Sequence, residues 1–295
     1  MRNLAPPTLR AETIFEDCVS NIGSAAKAAN FRRAKHLIEN AESDYLTAAR
    51  NHLLFQLPVS LEGNDALLFG SLSKRDVKGL YSDQMVPAKK AARHHYDKLV
   101  ISSPQRRCPF CGFGRASTLD HFLNKADYPW LAIVPINLVP ACKDCNQGKG
   151  ASRALSAKDQ ILHPYFEGTE ISADQWLFAS VIQSTPLSID YRAEPPCKWD
   201  RSLRLRVERH FIDFDLKARF SFEAATELGP LRFTLKSLAA AAGRIGVNQH
   251  LTAVASGEHE SFKNSWKTAL YQALADSDWY IDGGYLMELA SCGVT

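Results

Sequence analysis

The sequence predicts an α+β protein in three regions. A small cysteine-rich module, residues 105–167, lies between a helical N-terminal region, residues 1–104, and a mainly helical C-terminal region with a short β-hairpin, residues 168–295. Three observations support this prediction. Apolar residues recur at helical spacing in both flanks. Short segments separated by glycine, proline and paired cysteines fill the middle. Two segments rich in β-branched and aromatic residues follow them.

The sequence predicts three helices in the N-terminal region, two of them from apolar stripes. The first stripe runs from Ile14 to Ile22 and the second from Phe31 to Ala48, each with apolar residues three or four positions apart. A third helix is predicted from Pro87 to Leu99, because proline is accepted in a first helical turn.

The C-terminal region begins with two predicted strands. They are Trp176–Ile182 and Leu187–Tyr191, joined through a Ser-Thr-Pro turn. Helical periodicity then returns in four segments, which are Leu203–Phe211, Phe220–Leu228, Leu235–Ala242 and Phe262–Leu274.

The composition is that of an ordinary globular protein. Of the 295 residues, 45% are hydrophobic and 23% are charged, which excludes a disordered or collagen-like chain. No apolar run approaches the ~18 residues of a membrane-spanning helix, and the N-terminus lacks the apolar stretch of a secretory signal. We therefore expect a cytoplasmic protein whose seven cysteines are thiols or metal ligands rather than disulfides.

The net charge of +3 conceals an uneven distribution. Residues 71–158 contain 15 Lys and Arg against 6 Asp and Glu. A basic segment is typical of proteins that bind polyanions, although a solvated charged surface explains it equally well. The candidate nucleic-acid contacts in this segment are Lys89, Lys90, Arg93, Lys143 and Lys149. The adjacent His94 and His95 are expected to be surface residues and not a metal pair, because neighbouring side chains on a helix point apart.

Four of the cysteines form two C-x2-C pairs separated by thirty residues. The pairs are Cys108 with Cys111 and Cys142 with Cys145. Two such pairs present four thiolates to one ion and complete a tetrahedral zinc shell. A redox role would need a thioredoxin-like βαβ context, which the sequence lacks. Because four thiolates leave no open position for water, the sequence predicts a structural Zn²⁺ ion.

Polar residues lie at the ends of the elements predicted between the cysteine pairs. A strand over Ser117–Phe122 presents Asp120 and His121. The chain returns through Ala132–Val134 towards Asn137, and a helix that begins at Cys142 carries Asn146 on its first turns. A carboxylate, an imidazole and an amide oxygen then converge beside the zinc. Taken alone, these residues would be ordinary surface, turn or capping residues.

Four motifs follow one another in this order: Cys-Pro-Phe-Cys, Leu-Asp-His-Phe-Leu, Asn-Leu-Val-Pro-Ala-Cys-Lys-Asp-Cys-Asn and Gly-Lys-Gly. Together they resemble the HNH (ββα-metal) endonucleases with a four-cysteine zinc site. The resemblance covers residues 108–167. It implies that His121 is the general base that deprotonates water. It also implies that Asp120 and Asn146 bind a catalytic divalent ion, Mg²⁺ or another. By the same resemblance, Asn137 holds the loop that orients the histidine, and His163 supports the site.

The resulting hypothesis is a metal-dependent endonuclease that cleaves DNA, or RNA as the less favoured substrate, to a 5′-phosphate and a 3′-hydroxyl. This reaction needs a base that is neutral near pH 7, so that it can deprotonate water. It also needs a hard cation on oxygen ligands to offset the negative charge of the transition state. One site per chain predicts that a monomer nicks. The flanks resemble those of HNH proteins in antiphage systems such as Zorya and Septu, which implies an ATPase or sensor partner. The alternatives are a non-catalytic zinc-containing nucleic-acid-binding module and an interaction subunit of a larger assembly.

Overall fold

The computed structural model describes residues 1–149 and 153–287. The chain divides into two compact units, residues 2–167 and the residues from 168 onward. The helical N-terminal region and the cysteine-rich module lie together in the first unit. None of the helices in the described ranges combines the length and the apolar content that crossing a bilayer requires.

The described part of the first unit contains helices α1 to α6, which are Ala11–Ser20, Ala25–Arg33, Lys35–Arg50, Lys74–Gly79, Arg93–Val100 and Lys143–Gly148. The first predicted stripe forms α1, which buries Ile14, Phe15 and Val19. The second stripe is divided between α2 and α3, because the helix is interrupted at Ala34. A π-helical segment, Leu80–Met85, directly follows α4.

Two parts of the first unit differ from the prediction. Helix α5 begins at Arg93 rather than at Pro87, because residues 87–92 form bends and turns. The sequence analysis also did not predict α4 or a small antiparallel pair, β1 and β2, which are Leu67–Phe69 and Leu72–Ser73.

The cysteine-rich module contains an antiparallel strand pair followed by a helix. The strands are β3, Thr118–His121, and β4, Leu138–Ala141, and α6 begins two residues after β4. His121 is the last residue of β3 and pairs with the first residue of β4. The prediction of a return through Ala132–Val134 is wrong. Residues 129–137 instead contain two 3-10 turns, each beginning with a proline that fixes φ and lacks a donor for strand pairing.

The second unit contains the predicted hairpin and is mainly helical. Strands β5, Leu177–Ile182, and β6, Ser188–Ala193, pair in antiparallel fashion. Its helices α7 to α11 among the described residues are Glu170–Ala173, Arg201–Asp213, Leu216–Ser261, Trp266–Ala275 and Asp278–Ile281. Two predicted segments merge in the 46-residue α9, which contains Pro230 and is interrupted at Gly243. The φ of 61° at this residue favours glycine.

Candidate active site and metal centre

Four buried cysteine sulfurs converge in the first unit. The Sγ atoms of Cys108, Cys111, Cys142 and Cys145 all lie within 4.8 Å of one another. Those of Cys111 and Cys142 are 3.9 Å apart. Zinc–sulfur bonds of about 2.3 Å place tetrahedral sulfurs about 3.8 Å apart. The cluster therefore has the dimensions and the donor set of a structural zinc site.

The backbone around the first cysteine pair allows close approach to the sulfurs. The N–H of Cys108 donates to the carbonyl oxygen of Gly114 at 2.7 Å, and Gly112 turns the chain with a φ of 80°. A Cβ atom on Gly114 would lie 2.9 Å from the Sγ atom of Cys142. The N–H of Gly114 also donates to the Sγ atom of Cys111 at 3.4 Å. Glycine at position 114 is therefore required for the sulfurs to pack as they do.

The second cysteine pair forms the start of α6. Cys142 is the N-cap residue of this helix, and its Sγ atom accepts a hydrogen bond from the N–H of Cys145 at 3.4 Å. A zinc ion on all four sulfurs would connect the loop of residues 108–114 to this helix. Because such a shell is closed, the ion would hold the structure together without binding a substrate water.

Asp120 is a buried carboxylate, 5% exposed, on β3. Its Oδ2 atom accepts from the Nζ atom of Lys149 at 2.9 Å. The same ammonium group donates to the carbonyl oxygens of His121 and Phe122 at 3.0 and 2.6 Å. Burial raises the pKa of Asp120, and the charge of Lys149 opposes this shift. All three protons of Lys149 have acceptors, so in this structure Lys149 is an internal ion-pair partner and not the predicted phosphate contact.

Asn146 contacts the face of β3 that carries Asp120. Its Nδ2 atom donates to the Oγ1 atom of Thr118 at 3.1 Å. Thr118 precedes Asp120 by two residues, and side chains at this spacing emerge from the same face of a strand. Three residues after Asn146, Lys149 reaches Asp120. One side of α6 therefore faces the Asp120 side of β3, and the amide oxygen of Asn146 remains available as a ligand.

His121 is oriented by two neighbours. Its Nε2 atom lies 2.9 Å from the carbonyl oxygen of Ala132. A carbonyl only accepts, so Nε2 carries the proton and Nδ1 keeps its lone pair. The ring of Tyr81 packs edge-on against the imidazole, with 4.4 Å between centroids. Burial, assisted by the charges of Lys125 and Lys149, lowers the pKa of His121 to about 3. The imidazole is therefore neutral at pH 7.

Asn137 is completely buried and fixes the loop that follows β3. Its Oδ1 atom accepts from the N–H of Leu123 at 2.8 Å. Its Nδ2 atom donates to the carbonyl oxygens of Leu123 and Leu131 at 3.0 and 3.3 Å. The next residue, Ala132, supplies the carbonyl that binds His121. These are the contacts that a loop-holding residue would make.

His163 is buried beside the same loop. Its Nδ1 atom accepts from the N–H of Tyr165 at 3.1 Å, and its Nε2 atom lies 2.8 Å from the Tyr45 hydroxyl. The imidazole stacks on the ring of Phe122, with 4.0 Å between centroids. Because both ring nitrogens are occupied inside the protein, His163 can support the residues next to His121 but has no nitrogen left for a substrate.

The other predicted nucleic-acid contacts differ in their availability. Lys89 and Lys143 are exposed, and Lys90 is half-buried. The Nε atom of Arg93 donates to the Oδ1 atom of Asp97 at 2.9 Å, and its guanidinium also donates to a backbone carbonyl. Arg93 is therefore engaged at the start of α5, whereas the lysines can reach a phosphate.

The sequence analysis did not identify two residues beside His121. The Nζ atom of Lys125 lies 4.6 Å from the centroid of the Tyr81 ring. Burial lowers the pKa of Lys125, and its charge acts on His121. Lys125 is four residues after His121 in the His-Phe-Leu-Asn-Lys segment, so its position in the motif was a usable signal. Tyr81 lies forty residues upstream, and no sequence pattern connects it to the histidine.

The substitution Gly114→Ala tests the zinc site. The added Cβ atom must displace the sulfur of Cys142, and overpacking of this kind costs about 1.4 kcal/mol or more, so we expect zinc affinity to fall at least about tenfold. Competition with a chromogenic chelator measures this. Gly148→Ala is the control, because a Cβ atom there meets nothing within 4 Å. Equal zinc retention by both variants would contradict the assignment.

The substitution Lys149→Met tests the buried ion pair. It leaves the Asp120 carboxylate without its partner, which we expect to lower the free energy of unfolding by about 3 kcal/mol. Urea unfolding without added divalent cation measures the loss. The double variant D120N/K149M should recover most of it, and Lys143→Met is the exposed control. Wild-type stability in K149M would mean that Lys149 does not neutralise Asp120.

Comparison with known proteins identifies the family of the chain. No family model matches it, and no solved structure matches it significantly. The chain is, however, 32% identical over 229 residues to "Protein ea31" of Escherichia phage lambda. The alignment covers 74% of this chain and 77% of the lambda protein. The chain therefore belongs to the family of the lambda protein Ea31.

Proposed function

We propose that the chain is a metal-dependent endonuclease of the HNH (ββα-metal) type that hydrolyses phosphodiester bonds of DNA. The observation that carries the proposal is the state of His121. Its ring is neutral, its Nε2 atom is bound to the carbonyl of Ala132 at 2.9 Å, and its Nδ1 atom keeps a lone pair. A buried carboxylate, Asp120, precedes it, and a half-buried cation, Lys125, lies near it.

Asp120 and Asn146 would bind the catalytic divalent ion, Mg²⁺ or another. Both offer oxygen, the ligand that hard divalent ions prefer. The ammonium group of Lys149 lies 2.9 Å from the Asp120 carboxylate, so the ion would take the place of this group. When bound, the ion would offset negative charge on the transition state and on the departing O3′ atom.

The side chains of the protein would carry out the remaining steps. The Nδ1 atom of His121 takes a proton from the water that attacks phosphorus. Lys125 contacts a non-bridging phosphate oxygen, and the exposed Lys89 and Lys143 contact the DNA backbone further away. The bond from phosphorus to O3′ breaks and O3′ takes a proton from solvent water, which leaves a 5′-phosphate and a 3′-hydroxyl. One such site acts on one strand, so a monomer produces nicks.

Nicking of supercoiled plasmid by the zinc-loaded full chain tests the proposal. We expect nicking with Mg²⁺ or Mn²⁺, and a loss of at least about 100-fold in His121→Ala, the usual contribution of a general base. Lys125→Met should lose about tenfold, the value of one charge-assisted hydrogen bond. His36→Ala and Lys158→Met change exposed residues of the same types and should nick like wild type. The zinc content of each variant reports on its folding.

A chain that binds DNA but cleaves it in none of Mg²⁺, Mn²⁺ and Ni²⁺ would contradict the proposal. That result would favour a non-catalytic, zinc-containing nucleic-acid-binding or interaction subunit. Cleavage of RNA with the plasmid intact would change the substrate and keep the chemistry. The association with an ATPase or sensor protein stays a prediction. A role in antiphage defence likewise stays a prediction, and the relative Ea31 is itself a phage protein.

A further inference from the structure

A second group of ligand atoms lies between α1 and α5. It consists of Asp17 on α1 and the adjacent His94 and His95 on α5. One ligand atom from each residue lies within 4.8 Å of the others. In the described parts of the chain, this group and the four cysteines are the places where three or more His, Cys, Asp or Glu residues meet in this way.

The two histidines do not point apart, as the sequence analysis expects. Their ring centroids are 3.8 Å apart. The expectation assumed a helix from Pro87, whereas α5 begins at Arg93, so both histidines are in its first turn. Side chains in a helix lean toward its N-terminus. The Nδ1 atom of His94 reaches back to the carbonyl oxygen of Ala91 at 2.7 Å, and this contact turns the ring toward its neighbour.

The hydrogen bonds of the rings determine which nitrogens face the carboxylate. Because the carbonyl of Ala91 only accepts, the Nδ1 atom of His94 carries a proton, and Nε2 keeps its lone pair. This Nε2 atom lies 3.8 Å from the Oδ2 atom of Asp17, and that of His95 lies 2.8 Å from the same oxygen. A ring oriented through Nδ1 on a carbonyl is the usual arrangement of a metal-binding histidine.

These separations fit a metal site. Ligands about 2.0–2.1 Å from a tetrahedral ion lie about 3.3 Å from one another, and the two distances to Asp17 are on either side of this value. Two imidazoles and one carboxylate suit a borderline ion such as Zn²⁺, Co²⁺ or Ni²⁺ better than Mg²⁺. The side chain of His94 is 64% exposed, so an ion can enter from solvent and a water can complete the shell.

We propose that Asp17, His94 and His95 bind a divalent transition-metal ion at a site separate from the four cysteines. The ion would replace the hydrogen bond between His95 and Asp17. His95 then gives up its Nε2 proton, carries its proton on Nδ1 and uses the freed lone pair as ligand. The bound ion would connect α1 to α5, two helices more than seventy residues apart in sequence, and would stabilise the first unit.

Metal titration of the full chain tests the proposal. Co²⁺ is added to the zinc-free protein in the absence of Mg²⁺. The first equivalent is expected to give the intense sulfur charge-transfer bands of the four-cysteine site. A second equivalent should give only the weak d–d bands of nitrogen and oxygen ligands. In the Asp120→Asn background, which removes the proposed catalytic ion, His94→Ala and Asp17→Asn should keep the first equivalent and lose the second, and the exposed control His36→Ala should keep both.

The variant Asp120→Asn separates this site from the proposed catalytic ion. It should keep the second equivalent, because Asp120 is not among the three ligands. Wild-type protein that binds one equivalent, or the double variant Asp120→Asn/His94→Ala that binds two, would overturn the proposal. Loss of the second equivalent in Asp120→Asn would also overturn it and would assign that ion to the Asp120 site. This test does not use plasmid nicking, so its result can be interpreted even if the nuclease proposal fails.

Discussion

The convergence of four cysteine sulfurs is the constraint on which the cysteine-rich module depends. Its strand pair consists of two four-residue strands, and an isolated pair of this size is unstable in water. The sulfur cluster supplies a connection that the strands cannot, because it ties the loop of residues 108–114 to the start of α6. Four thiolates within 4.8 Å of one another repel, so a bound cation is what would keep all four sulfurs ionised and together.

The position of α6 then determines the candidate site. Cys142 and Cys145 lie at the start of this helix, and the following residues contact the Asp120 face of β3. Lys149 balances the charge of Asp120 within the protein. His121, next along the strand, is held by a loop carbonyl and by the ring of Tyr81. A carboxylate and an amide on one face, and a neutral imidazole, thus occupy neighbouring positions at the end of one short strand.

The sequence predicts the elements that depend on local pattern. The zinc site, β3 and the hairpin of the second unit follow from cysteine spacing and β-branched residues. The remainder depends on contacts between distant segments. The 3-10 turns at Pro129 and Pro135 place the returning strand at Leu138–Ala141 rather than at Ala132–Val134. Bends and turns over residues 87–92 mean that α5 begins at Arg93. Lys149 forms an ion pair with Asp120, 29 residues away in the sequence. It is therefore engaged inside the protein and does not serve as the predicted phosphate contact. The contacts of Tyr81 with His121 and of His95 with Asp17 form only when separate helices and strands pack.

Anomalous diffraction from a crystal of the full chain with a short DNA duplex and Mn²⁺ tests the proposed nuclease site most directly. The account predicts a manganese peak between Asp120 and Asn146 and a zinc peak at the four cysteines. It also predicts that Lys149 leaves Asp120 and that the Nδ1 atom of His121 faces a phosphate. Bound DNA with no manganese at Asp120, and with Lys149 still paired to that carboxylate, would contradict it.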